Sequence, residues 1–469
     1  MAGLAVTARI IIVGGGFTGA ATAIQLARRS PRPLDIAIVE PRAQLGSGLA
    51  YASSDPDHRL NGSAGTHYVD PADPAELTRW CEATRLLERD PQALAQNGQL
   101  YIRRADFARF LAHTLEACAR MHRSTIRHVR ERAVDACEAH GGLAVVLQGG
   151  ERLDADRVVL ATGNGAMRMP RGLAGKWMRA CVIGDPLAQP QRIRAIPARA
   201  RVLVVGAGLT ALDILSTLLR QRHEGPIVAL SRHGLRPRPQ RPPNPDAGAE
   251  RLLERIDGPL PGFIGHATRT ARGFTRALRT AIRESEAAGG DWYTPFDQLR
   301  DPAAKAWRLL DSAEKRRFLR WLRPFYDVHR FRTPPQNDAL VREAEARGAI
   351  TFVRGKLEDV APERFDIAIN CAGLDASCGA RDNPLLRSLV ARGMLRADPA
   401  GIGFEVDDAC RPVGRGGGAV SALRMIGPPT AGTCGDPLGV LFIAPQVARV
   451  VGSLVAGFER DPASAAIPT

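Results

Sequence analysis

Apolar residues in this chain gather in short unbroken blocks, each followed by a glycine turn and then by helical spacing. Ile10-Ile11-Ile12-Val13 ends in Gly14-Gly15-Gly16-Phe17-Thr18-Gly19, and Val202-Leu203-Val204-Val205 ends in Gly206-Ala207-Gly208-Leu209-Thr210-Ala211. A continuous apolar run of this kind reads as a strand of a parallel sheet buried on both faces. After the first turn, Ala21, Ile24 and Ala27 recur at helical spacing over Ala20 to Arg29; Pro31 and Pro33 end that helix, and a strand is expected from Asp35 to Val39. After the second, a helix is expected over roughly Thr210 to Arg222 and a strand from Ile227 to Leu230. The expected fold class is therefore α/β, with two Rossmann-like dinucleotide-binding domains.

The glycines carry specific tasks. Gly14 permits the tight turn out of the strand, Gly16 lets backbone approach a pyrophosphate, and Gly19 allows close packing of helix on strand. The helix N-terminus then faces the phosphates. The second strand closes on Glu40, whose carboxylate can accept bonds from both ribose hydroxyls and disfavours a 2′-phosphate. The ligand expected there is FAD or NAD, and its N-terminal place in the chain favours FAD. In the second copy, Gly206 and Gly208 repeat the pattern, but the next strand ends in Ser231-Arg232-His233 without an acid. Arg232 stands where a guanidinium could hold a 2′-phosphate bidentately, which points to NADPH or to either nicotinamide.

The flavin domain is expected to be discontinuous. The run Asp156-Arg157-Val158-Val159-Leu160-Ala161-Thr162-Gly163 has the form in which a strand returns to the FAD sheet, so Thr162 and Gly163 join the cofactor-binding set. A related signal, Phe365 to Gly373, is expected to end the inserted nicotinamide domain. Ile426-Gly427-Pro428-Pro429 and a final helix from Gln446 to Phe458 are expected near the flavin ring. The boundaries read as 1–165 for the first FAD part, 198–355 for the NAD(P) domain and 356–469 for the second FAD part. A helical insert is expected at about 235–333, with an exposed loop over Arg236 to Pro245 and helices over Arg269 to Ala288 and Ala303 to Arg323. Phe274, Leu278 and Ile282 read as its core. A short strand is expected from Gly348 to Arg354.

Length suggests about two to three domains. The eight cysteines form no C-x-x-C, so zinc, a disulfide framework and the close cysteine pair of flavin disulfide reductases have no support. No metal site is expected. The N-terminal apolar run enters the glycine turn and so reads as a strand, and no apolar stretch reads as a bilayer span. The expectation is a cytoplasmic protein without a membrane partner. The formal charge of +15 is nearly all arginine. No nucleic-acid-binding signature accompanies it, so an anionic small molecule is its expected use.

Several blocks resemble the YdhS-like family of bacterial FAD/NAD(P)-binding proteins: Gly46 to Tyr51, Arg59-Leu60-Asn61, Tyr101 to Leu111 with Arg104, and above all Asp291-Trp292 through Arg300, Trp307, Arg317-Phe318-Leu319 and Tyr326 to Arg332. The chain departs from that family after Asn61, where Gly62-Ser63-Ala64 replaces the usual Val-Pro-Ala, and again after Gly432, where Thr433 to Val440 replaces an acid-containing segment. The resemblance implies flavin monooxygenation, with activities that include FAD-dependent urate hydroxylation and, in similar enzymes, amino-group hydroxylation.

The leading expectation is an FAD-dependent monooxygenase that takes hydride from NAD(P)H, activates O2 as a flavin C4a-hydroperoxide, and 5-hydroxylates urate to 5-hydroxyisourate in purine catabolism. The alternatives are an N-hydroxylating monooxygenase acting on an amino acid or amine, a flavin reductase or dehydrogenase, and a non-catalytic flavin sensor. Catalytic candidates are Asn61, for the flavin edge, and His329 and Arg330, for nicotinamide or substrate; the last two are equally readable as bonds between insert and core. His67 reads as an acid/base group or an exposed loop histidine, and His58, His113 and His122 as surface residues.

Overall fold

A computed structural model describes residues 7–139, 141–178, 181–241, 256, 258–435 and 438–460. The strands are β1 (Ala8–Val13), β2 (Leu34–Val39), β3 (Thr125–Val129), β4 (Ala133–Ala139), β5 (Gly142–Leu147), β6 (Arg152–Ala155), β7 (Arg157–Leu160), β8 (Val182–Ile183), β9 (Val202–Val205), β10 (Ile227–Ser231), β11 (Ile350–Arg354), β12 (Ile367–Asn370) and β13 (Leu423–Met425). They form two five-stranded parallel sheets, ordered β13-β7-β1-β2-β3 and β11-β10-β9-β12-β8, and an antiparallel β4-β5-β6 sheet. The α/β class and the paired dinucleotide folds stand as expected.

The two parallel sheets are built alike. β7 lies beside β1 as β12 lies beside β9. Asp156, just before β7, accepts a bond from Arg9 N at 2.7 Å, and Asp366, just before β12, accepts one from Arg201 N at 2.8 Å. Because β8 and β12 both belong to the second sheet, the boundaries shift: that unit starts before residue 198, and the return to the first falls after Gly373 rather than at 356. The connections cross side by side, with Asp375 N bonded to Ala166 O and Arg168 N to Gly373 O.

Helix Phe17–Arg29 packs on the first sheet together with helices Arg104–Met121 and Val440–Arg460. The last begins earlier than expected, because Pro445 lies inside it rather than ahead of it. Its segment Val440–Glu459 is, by length and composition, apolar enough to cross a membrane, which corrects the expectation of no such stretch. Half of its apolar stretch is buried, and Val447, Val450, Val451 and Leu454 sit in the core beside Ile24. In the second unit, helix Leu209–Arg220 covers the sheet with Leu212, Ile214, Leu215 and Leu218 buried.

The insert contains helices Ala271–Ala287, Tyr293–Arg300, Ala303–Arg308, Ser312–Arg317 and Arg323–Arg330. The single helix expected over 303–323 is thus broken. The break falls at residues 309–311, where Asp311 caps a new start, its side chain accepting from Glu314 N at 2.8 Å. Of the expected core stripe, only Phe274 is buried; Leu278 and Ile282 line an open apolar cavity of 610 Å³. Residues 242–245 of the expected loop lie outside the described residues.

Candidate active site: two dinucleotide cradles and the seam between them

In the first cradle the glycines are required sterically. Gly14 has φ +108°, and a Cβ there would stand 2.3 Å from Ala161 O; one on Gly19 would stand 1.9 Å from Gly14 O. Gly16 faces Gly48, and Gly46 N bonds Gly15 O at 2.7 Å, so the segment after Glu40 folds over the turn. Glu40 is buried. Its Oε1 accepts from Arg42 N at 3.0 Å, and its Oε2 accepts only Gly15 N, at 2.9 Å, among the described residues. Oε2 therefore keeps capacity for a ribose hydroxyl. Thr162 Oγ1 is buried without a hydrogen-bond partner, beside Gly163 at φ +71°. An orphaned hydroxyl at the end of β7, a carboxylate at the end of β2 and a helix N-terminus between them fit a bound dinucleotide. Gly427, at φ +84°, comes within reach of Thr18: a Cβ there would sit 3.2 Å from Thr18 Oγ1.

The second cradle is looser. Gly206 repeats Gly14, with φ +116° and a Cβ position 2.2 Å from Cys371 O. At Gly208, however, a Cβ would meet nothing within 4 Å, and Ala211 carries a methyl where the first copy has Gly19. Ser231 ends β10, and Arg232 beyond it is exposed. Arg354, not singled out from the sequence, pairs with Ser231 in strand register, so a second, exposed arginine stands at that sheet edge.

Between the cradles lies a polar seam. Arg104 bonds Asp213 at 2.6 Å, joining a helix of the first unit to one of the second. His58 is buried, not at the surface: Nδ1 meets Ser53 Oγ at 2.7 Å and Nε2 meets Thr217 Oγ1 at 3.2 Å. Arg59 holds Asp90 with two bonds of 2.9 Å. Asn61 sits at the junction of three segments, since its carbonyl accepts from Gln240 Nε2 at 2.5 Å and Gln240 N bonds Thr333 O. His67 is partly buried rather than an exposed loop residue. Its Nδ1–H donates to the Ser63 carbonyl at 3.0 Å, and burial lowers its pKa to about 4, which leaves the ring neutral and unable to act as an acid near pH 7.

The structure does not bring His329 and Arg330 to one point. His329 Nδ1–H donates to Phe325 O at 2.7 Å, its ring lies edge-on to Trp292, and it lines the 610 Å³ cavity. Burial lowers its pKa as well. Since a carbonyl can only accept, Nε2 is left as the acceptor nitrogen. Arg330 bonds Leu438 O at 2.7 Å and lies over Phe442, tying the insert to the start of the final helix. The aromatic-acidic block around it is a knot: Arg332 is buried, bonds Asp297 at 2.5 and 3.1 Å, and lies over Tyr293. Asp436 and Pro437, in the departing segment after Gly432, lie outside the described residues.

Two cysteines far apart in the chain come together in the fold, where both sulfurs meet one amide: Gln446 Nε2 is 3.4 Å from Cys410 Sγ and 3.6 Å from Cys434 Sγ.

Residues 11–165 match a family of FAD-NAD(P)-binding domains. Among solved structures, the chain is similar to the ornithine N-hydroxylase of Kutzneria sp. 744, solved with reduced FAD, NADP+ and L-ornithine, at 17% identity and TM-score 0.63, covering 97% of this chain and 100% of that one. The reduced ornithine hydroxylase PvdA of Pseudomonas aeruginosa aligns at 14% identity and TM-score 0.60 over 97% and 100%. The L-lysine 6-monooxygenase of Pseudomonas syringae aligns at 15% and 0.60 over 96% and 99%. No curated protein matches the chain. The class defined by sheets and cradles is a two-dinucleotide α/β protein with an FAD-NAD(P)-binding domain at its N-terminal end. Its overall fold is similar to that of these ornithine and lysine hydroxylating enzymes over 96–97% of the chain.

Proposed function

We propose that the protein is an FAD-dependent, NAD(P)H-consuming monooxygenase that hydroxylates an amine nitrogen. The observation that carries this reading is the end-to-end likeness to the ornithine N-hydroxylase, which spans both cradles and the insert. Nothing in the fold neighbours supports urate, and the insert cavity is largely apolar, walled by Phe274, Phe296, Trp307, Phe318 and Ile402 with Arg279 and Arg323 also in its lining. An amine with an apolar body fits those walls better.

Bound flavin would supply hydride acceptance and oxygen activation; the protein supplies position and proton handling. Glu40 would hold the ribose of the flavin cofactor's adenosine, the helix N-terminus at Phe17 would serve the pyrophosphate, and Thr162 Oγ1 would gain a partner. Arg232 and Arg354 would hold the 2′-phosphate on the adenosine ribose of NADPH. An amine reacts only through its lone pair, so its ammonium form must lose a proton. His329 Nε2, kept neutral by burial, accepts that proton at the cavity wall. Asn61 lines the seam beside Gln240. We place the protein in the cytoplasm, where reduced nicotinamide and oxygen meet.

The test is NADPH oxidation with a panel of primary amines of increasing apolar length, ornithine, lysine and urate, scored for stimulated turnover and for hydroxylamine product. Stimulation and N-oxygenated product with an amine support the reading. Stimulation by urate alone rejects it.

A further inference from the structure

The molecule carries a second chemically distinctive place that the monooxygenase reading does not use. Cys410 lies in a turn of the loop that precedes β13, with φ +57°, and is buried; Cys434 ends a short helical turn and is partly exposed. The fold sets both against the Gln446 amide, which also donates to Thr430 Oγ1 at 3.0 Å and accepts from Gly427 N at 2.9 Å. Both cysteines line a separate cavity of 320 Å³, together with Arg308, Arg330, Phe442 and Arg449. We infer that Cys410 and Cys434 form a peroxide-oxidisable dithiol, a site of reversible disulfide formation for hydrogen peroxide or a small organic hydroperoxide.

The chemistry follows from the surroundings. The hydrogen bond from Cys410, the Thr430 hydroxyl and the charges of Arg308 and Arg449 hold Cys434 down to about 6, against burial. The shared proton correspondingly pushes Cys410 up. At Cys81, Cys118 and Cys371 burial pushes the thiol up, and it outweighs the charges of Arg89 beside Cys81 and Arg28 beside Cys118. Cys434 is thus the attacking thiolate and Cys410 the resolving thiol. Cys434 Sγ attacks one peroxide oxygen; the S–O bond forms, the O–O bond breaks, and the leaving hydroxide takes a proton to become water. Sulfur is oxidised by two electrons to the sulfenic acid while the peroxide is reduced. Cys410 Sγ then attacks that sulfur, the S–S bond forms, the S–O bond breaks, and hydroxide leaves with the Cys410 proton as a second water. The overall change is two thiols and one peroxide to one disulfide and two waters. The cavity gives a small oxidant its path, and it needs neither flavin nor nicotinamide, so this inference stands or falls apart from the proposed activity.

The full chain would be treated with a slight excess of hydrogen peroxide, alkylated and mapped by mass spectrometry, with and without dithiothreitol afterwards. The expected result is a linked Cys410–Cys434 peptide, removed by dithiothreitol, and two fewer free thiols per chain. Cys434→Ser slows thiol loss at least about tenfold, and Cys410→Ser leaves a sulfenic acid on Cys434 that dimedone traps. Should either variant fail to fold, the wild-type map still decides. Both cysteines remaining alkylatable, or Cys434 over-oxidising while Cys410 stays free, would overturn the inference.

Discussion

The two glycine turns share a sequence pattern but not a tolerance. In the first, Gly14 and Gly19 are both pressed against backbone carbonyls, at 2.3 and 1.9 Å from a would-be Cβ. In the second, only Gly206 is so pressed; Gly208 faces open space and Ala211 already fills the third position. The strand ends differ in charge as well, Glu40 buried in one and Arg232 exposed in the other. A tight, acid-closed cradle suits a cofactor that stays. An open, arginine-edged one suits a cofactor that arrives, reacts and leaves. The motif alone does not distinguish resident from visitor; the packing around it does.

Breaking the tight cradle has the largest expected effect. Gly19→Ala drives a methyl into Gly14 O and costs about 1–3 kcal/mol or more of stability, seen as a lower thermal midpoint and loss of bound flavin. Gly208→Ala leaves both unchanged. A folded, fully flavinylated Gly19→Ala protein would remove the contrast. Glu40→Gln comes next: exchanging a charged hydrogen-bond acceptor for a neutral one weakens flavin by roughly tenfold, measured by fluorescence on titration, with nicotinamide use per bound flavin intact. Arg232→Ala raises the NADPH KM by about tenfold and leaves NADH unchanged; equal effects on both would deny it the phosphate. A pH effect from His67 completes the set. Its folded pKa lies below the ordinary value of 6.5, so the unfolded chain binds the proton first. Its contribution is complete above pH 6.5 and is lost as pH falls toward 4, by no more than about 3 kcal/mol. Thermal melts between pH 7 and pH 4.5 should show a shallower decline for His67→Gln than for the parent.

Much of this was legible in the chain. Ile10–Val13 and Val202–Val205 are apolar throughout because both faces of each sheet are covered, and the acid at Asp156 or Asp366 marks the returning strand in each unit. The insert was legible only as helical. The break inside the stretch 303–323 comes with a local cap at Asp311, and Leu278 and Ile282 line a cavity although their spacing is that of a core, since periodicity reports which residues share a face and not what covers it. Of the seam, Arg59, Asn61 and Arg104 could be picked out along the chain, but their partners could not. His58 meets Thr217, and Cys410 meets Cys434 through Gln446, across separations that only the fold closes.

The central claim is that each cradle holds its own dinucleotide and that hydride passes between them. Anaerobic mixing of the yellow protein with NADPH measures this directly. The account predicts one FAD per chain, bleached by NADPH, with the bleaching slowed by Arg232→Ala and the FAD content lowered by Glu40→Gln. A protein that binds no FAD, or one whose bound FAD stays oxidised with both NADPH and NADH, would contradict it.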